Sequence, residues 1–254
     1  MNDNILTLYH GSDHILPKPL FGFGKSDNDY GSGFYTTLSK EKAAEWAAAN
    51  GTDSAYINTY EIDTVGLNVI NLDKYGTLSW ASEIIYNRGA RGEAAILLGN
   101  ELVKQYKINI NDADIVVGYR ADDSYSDIVD AFLQNQLNID EVQRLFYKGE
   151  LGLQYFIKSE RAFDRLQFKG YDELDIKKYT NQPEIQARTE VSKFLRARRN
   201  QMLLNGYQPY GITAREAAAH YYKYNEEYQY YTTNDEKDQN FNQDYDDFDE
   251  GEER

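Results

Sequence analysis

At 254 residues the chain can bury a core as one large domain or two small ones, and it has no cysteine, which excludes a disulfide frame, a thiolate nucleophile and a cysteine zinc site. Its net charge of −15 speaks against a general nucleic-acid-binding surface, and no run approaches the ~20 apolar residues of a membrane span. Met1-Asn2-Asp3-Asn4 has neither the basic nor the apolar region of a cleaved signal, so a cytoplasmic location is expected.

Residues 4–10 read as a strand, and 13–29, with Pro17, Pro19, Gly22 and Gly24, as a loop. Phe34–Thr37 reads as a short strand, and Ser39–Asn50 as a helix with a serine N-cap and Gly51 past its end. Ala55–Asp63 alternates as a half-buried strand does. Helices are expected over Leu78–Asn87, Glu93–Tyr106, Tyr125–Asn135 and Asp140–Lys148, with buried strands at Asp114–Gly118 and Leu153–Lys158. Phe163–Phe168 and Tyr171–Ile176 are expected to complete the sheet.

Beyond Lys178 the pattern turns helical, over Glu184–Leu204 and again from the capping box Thr213-x-x-Glu216 through His220 to Tyr224. From Asn234 to Arg254 there are ten acidic residues against two basic ones and few apolar ones, a composition that predicts disorder. The expected organisation is a domain over 1–177, a helical extension over 178–233 and an acidic tail over 234–254. The order of elements, with 23 tyrosines, suits an α+β domain better than a regular βαβ array.

Two runs carry chemistry. The first strand ends in Tyr9-His10-Gly11-Ser12; some twenty residues later comes Asn28-Asp29-Tyr30-Gly31-Ser32-Gly33-Phe34-Tyr35, followed by a helix holding Trp46. Together they resemble the NAD-binding half of the ADP-ribosyltransferase superfamily. The stretch Val117–Tyr125 resembles a bacterial family of unknown function placed among ADP-ribosyltransferase-like folds, and the likeness extends over about 5–177. The resemblance implies a split β-sandwich with flanking helices, NAD as substrate, and transfer of ADP-ribose to a macromolecular acceptor, protein or nucleic acid, with nicotinamide released. It also implies a toxin or effector, sometimes restrained by a small inhibitory partner protein, and no membrane.

In that frame His10 orients NAD at a ribose, Gly11 lets its backbone approach the carboxamide, and Ser12 bonds a ribose; the bland alternatives are a structural histidine and ordinary turn chemistry. Tyr35 stacks on nicotinamide, and Trp46 is a second aromatic wall or simply core. Tyr30 and Phe34 read as packing residues, with lining of the entrance as the alternative for Tyr30. Gln154 stands where most relatives have a glutamate; it can engage the nicotinamide ribose but brings no charge to the developing cation. Asp123, or Asp122, is a candidate acceptor for ribose or substrate, or else an Asx turn.

Other chemistries are excluded or weak. The glycine pairs lack a dinucleotide fingerprint's third glycine, no phosphate loop or Gly-x-Ser-x-Gly elbow occurs, and His10 and His14 lack a helix and a third ligand. Arg188, Lys193, Arg196, Arg198 and Arg199 form a basic stripe, read as a solvated face or a docking surface for an acidic target or the tail. The rival reading is a non-catalytic nucleotide-binding or protein-interaction module, which the missing carboxylate favours; NAD hydrolysis without transfer is a third.

Overall fold

Strand β1 (Ile5–Ser12) pairs antiparallel along its length with β3 (Ala55–Asp63), which sets His10 opposite Asn58. The other edge of β3 takes β7 (Gln167–Leu174), with a register shift at Thr59/Tyr60, giving the order β1-β3-β7. A second sheet runs β2 (Phe34–Thr36), β6 (Leu153–Ile157), β5 (Ile115–Tyr119) and β4 (Val69–Asn71), antiparallel except for β4 with β5. The sheets join at one reciprocal backbone pair, where Tyr9 N–H donates to Thr37 O (2.8 Å) and Thr37 N–H to Tyr9 O (2.9 Å). This computed structural model describes residues 4–50, 54–120, 123–148, 152–176, 182–225 and 229–231. It is a mixed α+β protein, and no helix among the described residues is long and apolar enough to cross a membrane.

Strand alternation distributes the core. Leu8, Phe34, Tyr60, Ile62, Ile115, Val117 and Ile157 form one buried cluster shared by both sheets. Val116 and Phe156, one residue out of phase, enter a larger core under α2 (Gly76–Arg88), α3 (Glu93–Tyr106), α4 (Asp123–Leu133) and α5 (Ile139–Lys148). Helix α1 (Lys40–Asn50) begins as expected, with Ser39 Oγ accepting from Lys42 N–H at 3.2 Å, and its alanines lie directly on β1 and β3.

Three expectations are corrected. Ser159 Oγ caps a helical turn, α6 (Glu160–Phe163), so the two strands read over Phe163–Phe168 and Tyr171–Ile176 become that turn and the single strand β7, bent at Gly170. The helix opened by Thr213 is α8 (Ala214–Ala219) and stops where His220 takes an extended conformation; β8 (Lys223–Asn225) and β9 (Gln229–Tyr231) follow as a pair. On α7 (Gln182–Asn205) Lys193, Arg196 and Arg199 are exposed, but Arg198 turns inward to Glu141 of α5, with its guanidinium 4.2 Å from the Tyr207 ring. The side chain of Arg188 and the whole of 234–254 lie outside the described residues.

Val191 and Leu195 of α7 and Ala214 and Ala217 of α8 are buried in the same large core, so the segment past 178 closes the domain's interior. The Tyr230 hydroxyl of β9 accepts from Leu78 N–H in the first turn of α2. Gly76 leaves room for it: a Cβ there would lie 2.5 Å from the Tyr224 ring and 2.6 Å from the Tyr230 hydroxyl.

Buried Asp114 anchors the second sheet, accepting from Asn68 N–H at 2.7 Å, from Ser159 and from Arg161. The Arg161 bond, then that of Ser159, holds its carboxyl down at about 2, against an ordinary 3.8. Between these values the unfolded chain binds the extra proton, so this contribution is present above pH 3.8 and lost as pH falls through about 2. Asp114→Asn should therefore be less stable than wild type at neutral pH, with the gap in urea denaturation closing across that window.

Candidate functional site at the junction of the sheets

The join between the sheets brings the first two sequence motifs together. His10 Nδ1 lies 2.7 Å from the Tyr35 carbonyl oxygen, and because a carbonyl only accepts, Nδ1 carries the proton. The imidazole also packs on the Phe34 ring at 4.5 Å. Desolvation, partly offset by the bond to Tyr35, pushes its pKa down to about 4. His10 is thus neutral at pH 7, with Nε2 left as an acceptor. Between pH 6.5 and about 4 the unfolded chain takes a proton the native site resists, so His10 lowers stability as pH falls through that window. An NMR titration of the full chain, with the three histidines assigned by substitution, should place the His10 midpoint near 4.

The Tyr35 ring leans on Phe156 at 4.8 Å and is nearly parallel to Tyr30 at 6.5 Å. Its hydroxyl donates to Gly31 O (2.8 Å) and accepts from Tyr30 N–H (3.0 Å), fixing the turn ahead of β2. Tyr30 and Phe34 are buried, as expected of packing residues. The Tyr30 hydroxyl fills the space a Cβ on Gly118 would need, donating to Tyr119 O at 2.6 Å and accepting from Trp80 Nε1 at 2.8 Å.

Gln154, opposite Gly118 on β6, is 3% exposed. Its amide nitrogen donates to Asp29 Oδ2 at 2.8 Å and to Tyr119 O at 3.3 Å. Both neighbours accept only, which settles which end of the amide faces them. Asp29 is 4% exposed, and burial of a carboxylate requires partners. Arg88 supplies an ion pair at 2.5 Å, and Asn87 Nδ2 donates to the Asp29 carbonyl at 3.0 Å. A groove of about 340 Å³ opens beside Arg88, between Asp27, Arg91, Ser126, Asp127 and Asp130.

The remaining candidates are placed as follows. The space of a Cβ on Gly11 is taken by helix α1, with Ala43 O only 1.9 Å away. The Ser12 hydroxyl donates to His14 O (2.6 Å) and accepts from Asn58 Nδ2 (3.0 Å), anchoring the loop after β1. Trp46 is buried on α1 under the Arg120 guanidinium, 4.9 Å from its ring. Asp123 is the first residue of α4; its side chain, and Asp122 altogether, lie outside the described residues.

Sequence reasoning passed over Asp29, Asn87, Arg88, Trp80 and Tyr119. For the helical residues no local signal exists. For Asp29 there was one: it lies inside the Asn28–Tyr35 motif.

An α+β domain with a polar, internally bonded cluster where two sheets join is the class of protein these features define. Residues 6–168 match the family described as protein of unknown function (DUF3990), and the chain belongs to that family. No curated protein and no solved structure matches it.

Proposed function

We propose that the chain is an ADP-ribosyltransferase, with the split β-sandwich of that superfamily, which cleaves the nicotinamide–ribose bond of NAD and transfers ADP-ribose to a macromolecular acceptor. The observation that carries this reading is the His10–Tyr35 contact. It unites the two motifs that resemble the superfamily and leaves a neutral imidazole with a lone pair for a ribose hydroxyl. Gln154 follows in the same cluster through Tyr30 and Tyr119. In the reaction Tyr35 holds nicotinamide, Trp46 and Arg120 border the site, and the acceptor attacks the ribose carbon that nicotinamide leaves. An inhibitory partner protein fits a toxin-like role and would act by covering this cluster.

The test is nicotinamide release from NAD by the full chain, with and without cell lysate, followed by mass spectrometry of labelled acceptors. Tyr35→Ala should weaken NAD binding by ~1–3 kcal/mol in calorimetry; unchanged affinity in a folded variant would remove Tyr35 from the site. A second reading, a binding module without turnover, is favoured by one fact. The Gln154 amide nitrogen and the Tyr35 and Ser12 hydroxyls are already engaged by the chain's own groups. NAD bound with no nicotinamide released would establish it.

A further inference from the structure

We propose that Asp29 is the carboxylate of this site, delivered from the loop ahead of β2 and acting through Gln154, so that the charge absent from β6 comes from 125 residues earlier in the chain. This rests on the NAD-cleaving reading above.

The cluster is built around Asp29 in a way that simple loop anchoring does not need. A buried aspartate that only pinned the loop would be satisfied by Arg88 and by backbone. Instead one oxygen is given to Arg88 and the other to the amide of the residue at the third motif. Gln154 sends its nitrogen to Asp29 and Tyr119 O, so its oxygen is the end of the amide that faces neither. An amide whose N–H is bound to a carboxylate has a more electron-rich oxygen, because polarisation passes along the chain of hydrogen bonds. Such an oxygen accepts a ribose hydroxyl more strongly as positive charge develops on the sugar. Asp29 is therefore a positioning residue: it fixes which way the Gln154 amide faces and lends it negative character.

This changes what a glutamate at 154 would do. With Asp29 in place, Gln154→Glu sets two carboxylates within hydrogen-bond distance, and one of them must hold a proton at neutral pH. With Asp29→Asn present, a glutamate at 154 is the cluster's lone carboxylate at that contact and keeps its charge.

The experiment measures nicotinamide release by the full-length chain, as kcat and KM for NAD. It compares wild type, Asp29→Asn, Gln154→Glu and the double variant, with thermal melting recorded for each. Asp29→Asn should lower kcat ~100-fold while KM changes less than threefold, a loss typical of removing a preorganised electrostatic partner. The double variant should recover at least tenfold over Asp29→Asn, and Gln154→Glu alone should show a new ionisation in its pH–rate profile. Wild-type kcat in folded Asp29→Asn would overturn the proposal and leave the NAD reading standing. So would a loss that follows melting temperature and is not rescued by the glutamate, since that is the mark of a structural aspartate. A wild-type chain that neither binds nor cleaves NAD would overturn both.

Discussion

Gly11→Ala should be the most damaging small substitution in the domain, with a loss of ~3 kcal/mol or more in urea denaturation of the full chain. An added methyl would sit 1.9 Å from Ala43 O and 2.6 Å from Ala47 N, and both are backbone atoms of α1 that no rotamer change can move. Overpacking relieved by side-chain shifts costs about 1–3 kcal/mol, and here the strand or the helix must shift instead. Gly22→Ala is the comparison: nothing lies within 4 Å of its Cβ, so only its φ of +77° is penalised, by ~1–2 kcal/mol. Equal losses at the two glycines would mean that α1 can retreat from β1. One practical result is that replacing Gly11 cannot test the proposed approach of its backbone to nicotinamide, because the packing against α1 is disrupted first.

His10→Ala should lower nicotinamide release ~100-fold, the size expected when a reacting group is held about an ångström out of place. Its effect on stability should be far smaller, ~1 kcal/mol, since it removes one hydrogen bond to Tyr35 O from a half-buried position. The contrast with Gly11→Ala, one residue on, separates the chemistry of this strand end from its packing. Turnover at the wild-type level in a folded His10→Ala protein would make the imidazole a structural clamp between the sheets.

Legibility from sequence followed the range of the forces involved. Ala55–Asp63 was readable to the residue because alternation is local, and the helix after Ser39 because its serine cap is a local signal. β4 was missed: three residues cannot show a period, and Val69–Asn71 is a strand only because β5 lies beside it. Of the two strands read around Phe163–Ile176, the residues from Gln167 to Leu174 do pair with β3, as the single strand β7, but the start of the first gave way to the turn that Ser159 caps, a choice that apolar patterning does not reveal. At the site, His10 and Tyr35 stood out through neighbouring glycines and aromatics. The Asp29–Gln154 contact spans 125 residues and depends on where α2 ends, which only the assembled fold decides.

Helix α2 holds both ends of that arrangement. Thirteen residues long, ~20 Å, it has the Tyr230 hydroxyl seated over its first turn, while Asn87 and Arg88 of its last turn grip Asp29. It works as a clamped strut, with the far end of the chain as one of the clamps. A fragment cut to the matched family boundaries would end at residue 168. It would lack that clamp, and would also open the core that Val191, Leu195, Ala214 and Ala217 close. An inactive fragment of that length would therefore be silent about the catalytic competence of the whole chain, and trimming from the C-terminus should stop beyond Tyr231.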